Sequence, residues 1–493
     1  MPWLETAFPV TMARIALVAP AESVRDLLVA VAAAGTVEID ADLTELTDLT
    51  GAPGQAAEPG GTGPARSAAL SAEAPDLAAL AAAGRDDLIA GEAELQRYAA
   101  AASRRHGVAA LAAWTPADLA GRLAATLAAI GCAVIPMRRP RGSDAPTLVT
   151  GSAGQRALSP LISTYGTVPY ADINPAWLAW GSYVLMFGMM FGDAGDGLLL
   201  VAAAIAIRAG RPRALGRLRP AWPFVAGAGV AATGFGFAYG EFFGPTGVVP
   251  ALWLDPIARP VPLLLAGIGF GAVLLAGAYA LGVLNRWREG GWPLALYAPS
   301  GIAGALLFLG IGVLAAGWYY HVGALLMAGG VIAAGALVLA FAGFIAEAGG
   351  GGYGVTQASV EVFDLVVRLG SNVASFARLA AFGLAHAALG LLVWEGTTAL
   401  WHRGGAGAAG AVVLFAAGSA LAFALEGLVA AVQALRLEYY ELFSRVFVAQ
   451  GRPFRPWYLP VETGRDDGAG RDVAGLTDAG LAGAVAALRA EEA

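Results

Sequence analysis

The sequence predicts a membrane all-α C-terminal domain of about eight transmembrane helices, the last two long and tilted. A small α/β (α+β) soluble domain precedes it. Three observations carry this prediction. The chain of 493 residues is 57% hydrophobic, with a mean hydropathy of +0.64. Only 14% of it is charged, against roughly 25% in a soluble domain. The composition is also split: residues before about Tyr170 are mixed and acidic, whereas Trp177 to Val448 is largely apolar. The domain plan is therefore 1–170 soluble, 171–450 membrane and 451–493 tail. The net charge of −7 argues against nucleic acid as a partner. Cys132 is the single cysteine, so no internal disulfide framework is possible, and it reads as a free buried thiol. The start, MPWLETAFPVTMARIALV, lacks a basic region followed by an apolar one, which argues against a signal peptide. All basic residues are Arg and none is Lys, which reads as genomic bias.

In the soluble part, Met12 to Val18 reads as a strand. Ala21 to Ala34 has helical spacing and stops at Gly35. Thr36 to Ile39 reads as a second strand. Ala41 to Asp76 is rich in Gly, Pro and Ala without an apolar period, and reads as a flexible linker. Leu77 to Ser103 reads as an amphipathic acidic helix. Another helix is expected up to Ile130, with Thr115 as cap and Pro116 at its first position. Cys132 to Met137 and Thr147 to Gly151 read as strand pieces. No phosphate loop, metal-ligand cluster or nucleophile–base set stands out, and His106 reads as a surface residue.

Eight apolar segments follow the turn PYADINPAW. They are Trp177 to Phe191, Leu198 to Ile207, Trp222 to Phe242, Val261 to Leu284, Leu294 to Trp318, Val322 to Ala346, Ser359 to Trp394 and Ala411 to Val448. The last two exceed the roughly 20 residues that span a bilayer, so they must tilt or protrude. The turn GDAGDG, Gly192 to Gly197, joins the first two and reads most simply as a polar turn. Arg208, Arg211, Arg213, Arg217 and Arg219 crowd one connection, and Arg286 and Arg288 the next but one. Positive-inside then puts both termini in the cytoplasm.

The last two segments carry charge. Asp364, Arg368, Arg378 and His386 lie in the seventh, and Glu426 and Arg436 in the eighth. A buried Arg in a bilayer costs roughly 2.5–3.5 kcal/mol on insertion scales. With the seventh helix running outward and the eighth returning, Arg378 and Arg436 come to similar depth. His386 and Glu426 then lie outward, and Asp364, Glu438 and Glu441 toward the cytoplasm. Arg keeps its proton in proteins, so it acts as a fixed cation. Between two hydrated cavities it bars a direct leak and favours the ionised form of any carboxylate that passes it. A rotary ion pump needs this of its stationary subunit. Structural ion pairs to Asp364 or Glu426, and a secondary transporter, are the competing readings. The latter would show internal repeats and helices broken near mid-membrane. A single histidine such as His386 is by default a packed core residue; it gains weight from sharing the outer side with Glu426.

These segments resemble a known family, the membrane subunit a of V-type ATPases, called subunit I in archaeal and bacterial A/V-type enzymes. PYADINPAWLAWGSYVLMFGMMFGDAGDG resembles that family's Asn-Pro segment followed by Met-Phe-Gly-Asp-x-Gly-His-Gly. SFARLAAFGLAHAALG and EGLVAAVQALRLEYYELF resemble its two arginine segments. RIALVAPAESVRDLLVAVAAAGTVEID and the Trp114-Thr115-Pro116 region are similar too. The resemblance implies that Arg378 and Arg436 face a proteolipid c-ring carrying a membrane carboxylate. It implies an outer half-channel at Glu426 and His386 and an inner one at Asp364 and Glu441. It implies a non-catalytic subunit without cofactor in a prokaryotic plasma membrane. Its partners would be peripheral-stalk subunits and a central-stalk or ring-adaptor subunit, and its ion H⁺ or Na⁺. Three departures stand out. Asp196 replaces the motif's His, Asp364 replaces a Glu, and Ala41 to Asp76 occupies the place of a long coiled-coil stalk.

Overall fold

The computed structural model describes residues 8–40, 68–139, 145–148, 165–210, 213–447 and 451–462. The chain divides into two units. One comprises Met1–Phe8 and Gly151–Gln450, the other Pro9–Thr150 and Gly451–Ala493.

In the second unit, β1 (Met12–Pro20) buries Ile15, Leu17 and Ala19, with Met12 at its start; the alternation from Ile15 on suits a half-buried strand. The strands are β2 (Glu38–Ile39), β3 (Leu70–Ser71), β4 (Ser103–Arg105), β5 (Val108–Pro116), β6 (Ala133–Pro136) and β7 (Val461–Glu462). The main sheet has the order β2-β5-β1-β6, with β4 on β5, and all its pairings are antiparallel. The helices α1 (Val24–Ala34), α2 (Leu77–Ala82), α3 (Asp86–Ala101) and α4 (Ala117–Ala128) complete the unit. α1 buries Val24, Leu27, Leu28 and Val31 and ends on left-handed Gly35, as its spacing predicts. Cys132 is a buried free thiol, and His106 is exposed.

Several expectations are corrected here. Trp114, Thr115 and Pro116 end β5 rather than start a helix. Thr115 Oγ1 donates to the Thr36 carbonyl at 3.0 Å instead of capping α4. Four of the nine residues of β5 are Ala, so its composition hides a strand that pairing with β1 imposes. Leu77 to Ser103 breaks into α2, α3 and the start of β4. Of the expected linker, 41–67 lies outside the described residues, but Leu70 is fully buried and β3 pairs in parallel with β7. Of Thr147 to Gly151, Thr147 makes only an isolated bridge to Pro453, and 149–151 lies outside the described residues. Residues 451–462 are not a separate tail. Trp457 and Leu459 join the core of this unit, and Trp457 Nε1 donates to Glu94 at 3.0 Å.

The helical unit holds α5 (Ala176–Met190), α6 (Ala194–Ala209), α7 (Trp222–Tyr239), α8 (Pro260–Tyr297), α9 (Ile302–Tyr319), α10 (Gly323–Glu347), α11 (Gly351–Ser375), α12 (Ala377–Trp401) and α13 (Ala406–Leu437). Six stretches among the described residues are long and apolar enough to cross a membrane: Leu218–Tyr239, Pro260–Tyr297, Ile302–Tyr319, Gly323–Glu347, Gly351–Trp401 and Ala406–Val446. α5 and α6 are shorter, at 15 and 16 residues. α8 breaks at Gly291, whose φ of 69° and ψ of −160° are not helical. α13 runs into a π-helical turn, Glu438–Phe443, and a short helix, Ser444–Val446.

The expected single helix from Ser359 to Trp394 is interrupted. α11 ends at Ser375 and α12 starts at Ala377. Phe376 between them is fully buried against α8, where a Cβ on Gly271 would lie 2.0 Å from its ring. A bare backbone on α8 thus receives the aromatic anchor that seats the break.

Candidate functional site

Arg378 is the second residue of α12, and Arg436 lies in the last turn of α13. His386 lies eight residues on from Arg378, about 12 Å along the axis, and Glu426 ten residues before Arg436, about 15 Å. His386 Nδ1 and Glu426 Oε2 are directly hydrogen-bonded. That contact sets the register of two antiparallel helices and brings both arginines to one level. The structure therefore groups the predicted residues at two levels.

At the arginine level, Arg436 is exposed and Arg378 half-buried. Arg378 Nη1 is buried and, among the described residues, has no hydrogen-bond partner. Glu441 from the π-helical turn is the acid within electrostatic reach of both. With the Asn372 amide oriented so that donors meet acceptors, Asn372 donates to Glu441 Oε2 at 2.8 Å and accepts from Arg445 at 2.7 Å. Glu441 lies within the π-helical turn and Arg445 just after it, and such turns frequently sit at functional sites. Asp364 is elsewhere: it is exposed and pairs with Arg368 one turn on, at 2.6 Å. Asp364 and Arg378 thus lie on different helices, α11 and α12.

At the histidine level, His386 is buried and packs on Phe191, with ring centroids 4.9 Å apart. The turn GDAGDG lies beside it. Asp193 caps α6: its Oδ1 accepts from Gly195, Asp196 and Phe243, and its Oδ2 from Gly244 at 2.7 Å. Asp193, Asp196 and His386 bring ligand atoms within 4.8 Å of one another. Glu241, just past α7, is buried and within electrostatic reach of His386 and Glu426.

Sequence reasoning missed Asp193, Glu241, Asn372 and Arg445 as site residues; it placed Glu438 among the acids toward the cytoplasm without giving it a role. Glu438 is fully buried and accepts from Ser182 Oγ at 2.7 Å. Asp193 was legible only as part of a polar turn. Glu241 sat unremarked at the end of an apolar segment, and a carboxylate in that position was the available signal.

Fold and site together define a polytopic helical membrane protein with two arginines at one level of its last helices and a histidine–carboxylate cluster at another. Comparison with known sequences shows what the chain is similar to. The profile of the V-type ATPase 116kDa subunit family matches residues 103–213 and 355–459. The "A-type ATP synthase subunit I" of Aeropyrum pernix is 27% identical over 375 residues, covering 64% of this chain and 52% of the relative. That of Thermococcus kodakarensis is 24% identical, covering 71% and 54%. The "V-type proton ATPase subunit a, vacuolar isoform" of Saccharomyces cerevisiae is 33% identical over 123 residues, covering 22% and 15%. The chain is thus similar to the V/A-type ATPase subunit a/I family, and it spans about half the length of the archaeal relatives it matches.

Proposed function

We propose that this chain is the stationary membrane subunit of a rotary V/A-type ATPase. It couples translocation of H⁺ or Na⁺ to ATP hydrolysis or synthesis on other subunits and hydrolyses no ATP itself. Arg378 and Arg436 form a fixed positive barrier. His386 and Glu426 belong to an outer half-channel, Glu441 and Asp364 to an inner one. The soluble unit faces the cytoplasm of a prokaryotic cell and meets peripheral-stalk and ring-adaptor subunits.

The observation that carries this reading is that half-buried Arg378 and exposed Arg436 share one level, within electrostatic reach of one another. Paired cations facing outward need a counter-charge in an apolar surrounding, so an acceptor from another chain fits here. A carboxylate on a proteolipid ring is such an acceptor, and it would be held ionised as it passes. α13 presents an exposed stripe toward that level: Leu421, Leu425, Leu428 and Val432, at helical spacing, leading to exposed Arg436. The stripe gives a direct test. Val432→Cys, paired with cysteines near the membrane carboxylate of the co-purifying proteolipid, should form a disulfide on mild oxidation. Absence of any such product across a full set of proteolipid positions would contradict the reading.

A further inference from the structure

We propose that the buried turn at the start of α6 is a divalent-cation site, with Asp193, Asp196 and His386 as ligands and Glu241 as a nearby fourth donor. The proposal rests on the outer half-channel reading only for its consequence in pumping, not for binding.

Three observations meet here. The first is the donor set. One imidazole and two carboxylates place their ligand atoms within 4.8 Å of one another. First-row divalent ions such as Zn²⁺ and Mn²⁺ take such mixed nitrogen and oxygen ligands. Ligands about 2.0–2.2 Å from zinc lie roughly 3.5 Å apart, so the side chains need close by little more than 1 Å. The second is the state of those atoms. Asp196 is 5% exposed, and its Oδ1 has no hydrogen-bond partner among the described residues. Glu241 is 3% exposed, and its Oε2 is likewise unpartnered. Among the described residues, Oδ2 of Asp193 accepts only from Gly244, at 2.7 Å, and keeps a lone pair.

The third is the orientation of the histidine. Nδ1 of His386 is engaged with Glu426, which leaves Nε2 as the nitrogen for a ligand. A ligating histidine characteristically gives its other nitrogen to a carboxylate, which fixes its tautomer and raises its basicity. Glu426 occupies that position. Asp193, Asp196, Glu241 and Glu426 outnumber the single histidine in an interior of low dielectric, where unbalanced charge is costly. Protons or a divalent cation can balance it, and the preformed donor geometry favours the cation. Occupancy would take Nε2 of His386 and Asp196 out of proton exchange, so the cation would inhibit translocation.

The test uses the assembled complex in nanodiscs, stripped with chelator and titrated with Zn²⁺. One bound Zn²⁺ per chain is expected by elemental analysis. Zinc-edge X-ray absorption should show one nitrogen and two or three oxygen donors at about 2.0–2.2 Å. Asp196→Asn and His386→Gln should each weaken binding at least tenfold. No stoichiometric Zn²⁺ in the unmodified complex, as expected if protons alone balance the turn, would overturn the proposal. So would an all-imidazole or all-oxygen shell, or unchanged affinity in both variants. The absorption spectrum of the unmodified complex decides the matter even where a variant fails to assemble. Zn²⁺ bound as described with pumping unchanged would uphold the site and count against the outer half-channel instead.

Discussion

Arg378 and Glu441 show how few residues the proposed barrier needs. Two arginines near one another repel, and Glu441 is the acid that offsets them, held by Asn372. Glu441→Gln should therefore cut ATP-driven pumping by at least tenfold while leaving assembly intact, whereas Glu441→Asp should retain part of it; vesicle acidification measures both. A wild-type rate in Glu441→Gln would remove Glu441 from the inner path. Residues such as Arg378, Arg436, His386 and Glu426 were legible because a charge inside an apolar run is conspicuous. Glu241 and Asn372 were not. Their roles come from contacts across α12, α13 and the loops, and no local pattern records a contact between residues far apart in sequence.

At the scale of elements, ion pairs tie the sheet-bearing unit together alongside its buried core. Arg85 holds Asp87 through a bond of 2.9 Å and reaches Glu462 in β7 at 2.6 Å. The Arg85 guanidinium, and the first turn of α3 behind it, hold the Asp87 carboxyl below its ordinary range. An acid whose folded value is lowered contributes stability that is present above its unfolded value, near 3.9, and is lost as pH falls through the folded one. Acid unfolding of this unit should accordingly begin below about pH 4, and Asp87→Asn should flatten the acid limb, as followed by tryptophan fluorescence. An unchanged limb would show that the pair contributes nothing. Element boundaries were partly legible. α1 and its Gly35 stop follow from spacing, and α5 and α10 fall within a few residues of expectation. The break at Phe376 was not legible, because its cause, the bare backbone of Gly271, lies on another helix. β5 was hidden because alanine suits helix better than strand.

At the scale of the molecule, connectivity constrains topology. One compact unit receives both the chain that enters the helical unit and the chain that leaves it, through β3 pairing with β7. A bilayer crossed in between must be crossed an even number of times. The six long apolar stretches satisfy this, and α5 with α6 preserves it whether or not the pair spans. Epitopes fused at the two ends of the chain should therefore be accessible from the same face of sealed vesicles. The arginine-bearing connection at Arg208 and Arg219 predicts that this face is cytoplasmic; labelling from opposite faces would contradict the fold.

The central claim is that Arg378 is a fixed barrier which lets a passing carboxylate release its ion. ATP-driven ion uptake by the reconstituted complex carrying Arg378→Ala measures this most directly, with ATP hydrolysis followed in parallel. The account predicts that pumping is lost in assembled complex; uptake at the wild-type rate would contradict it.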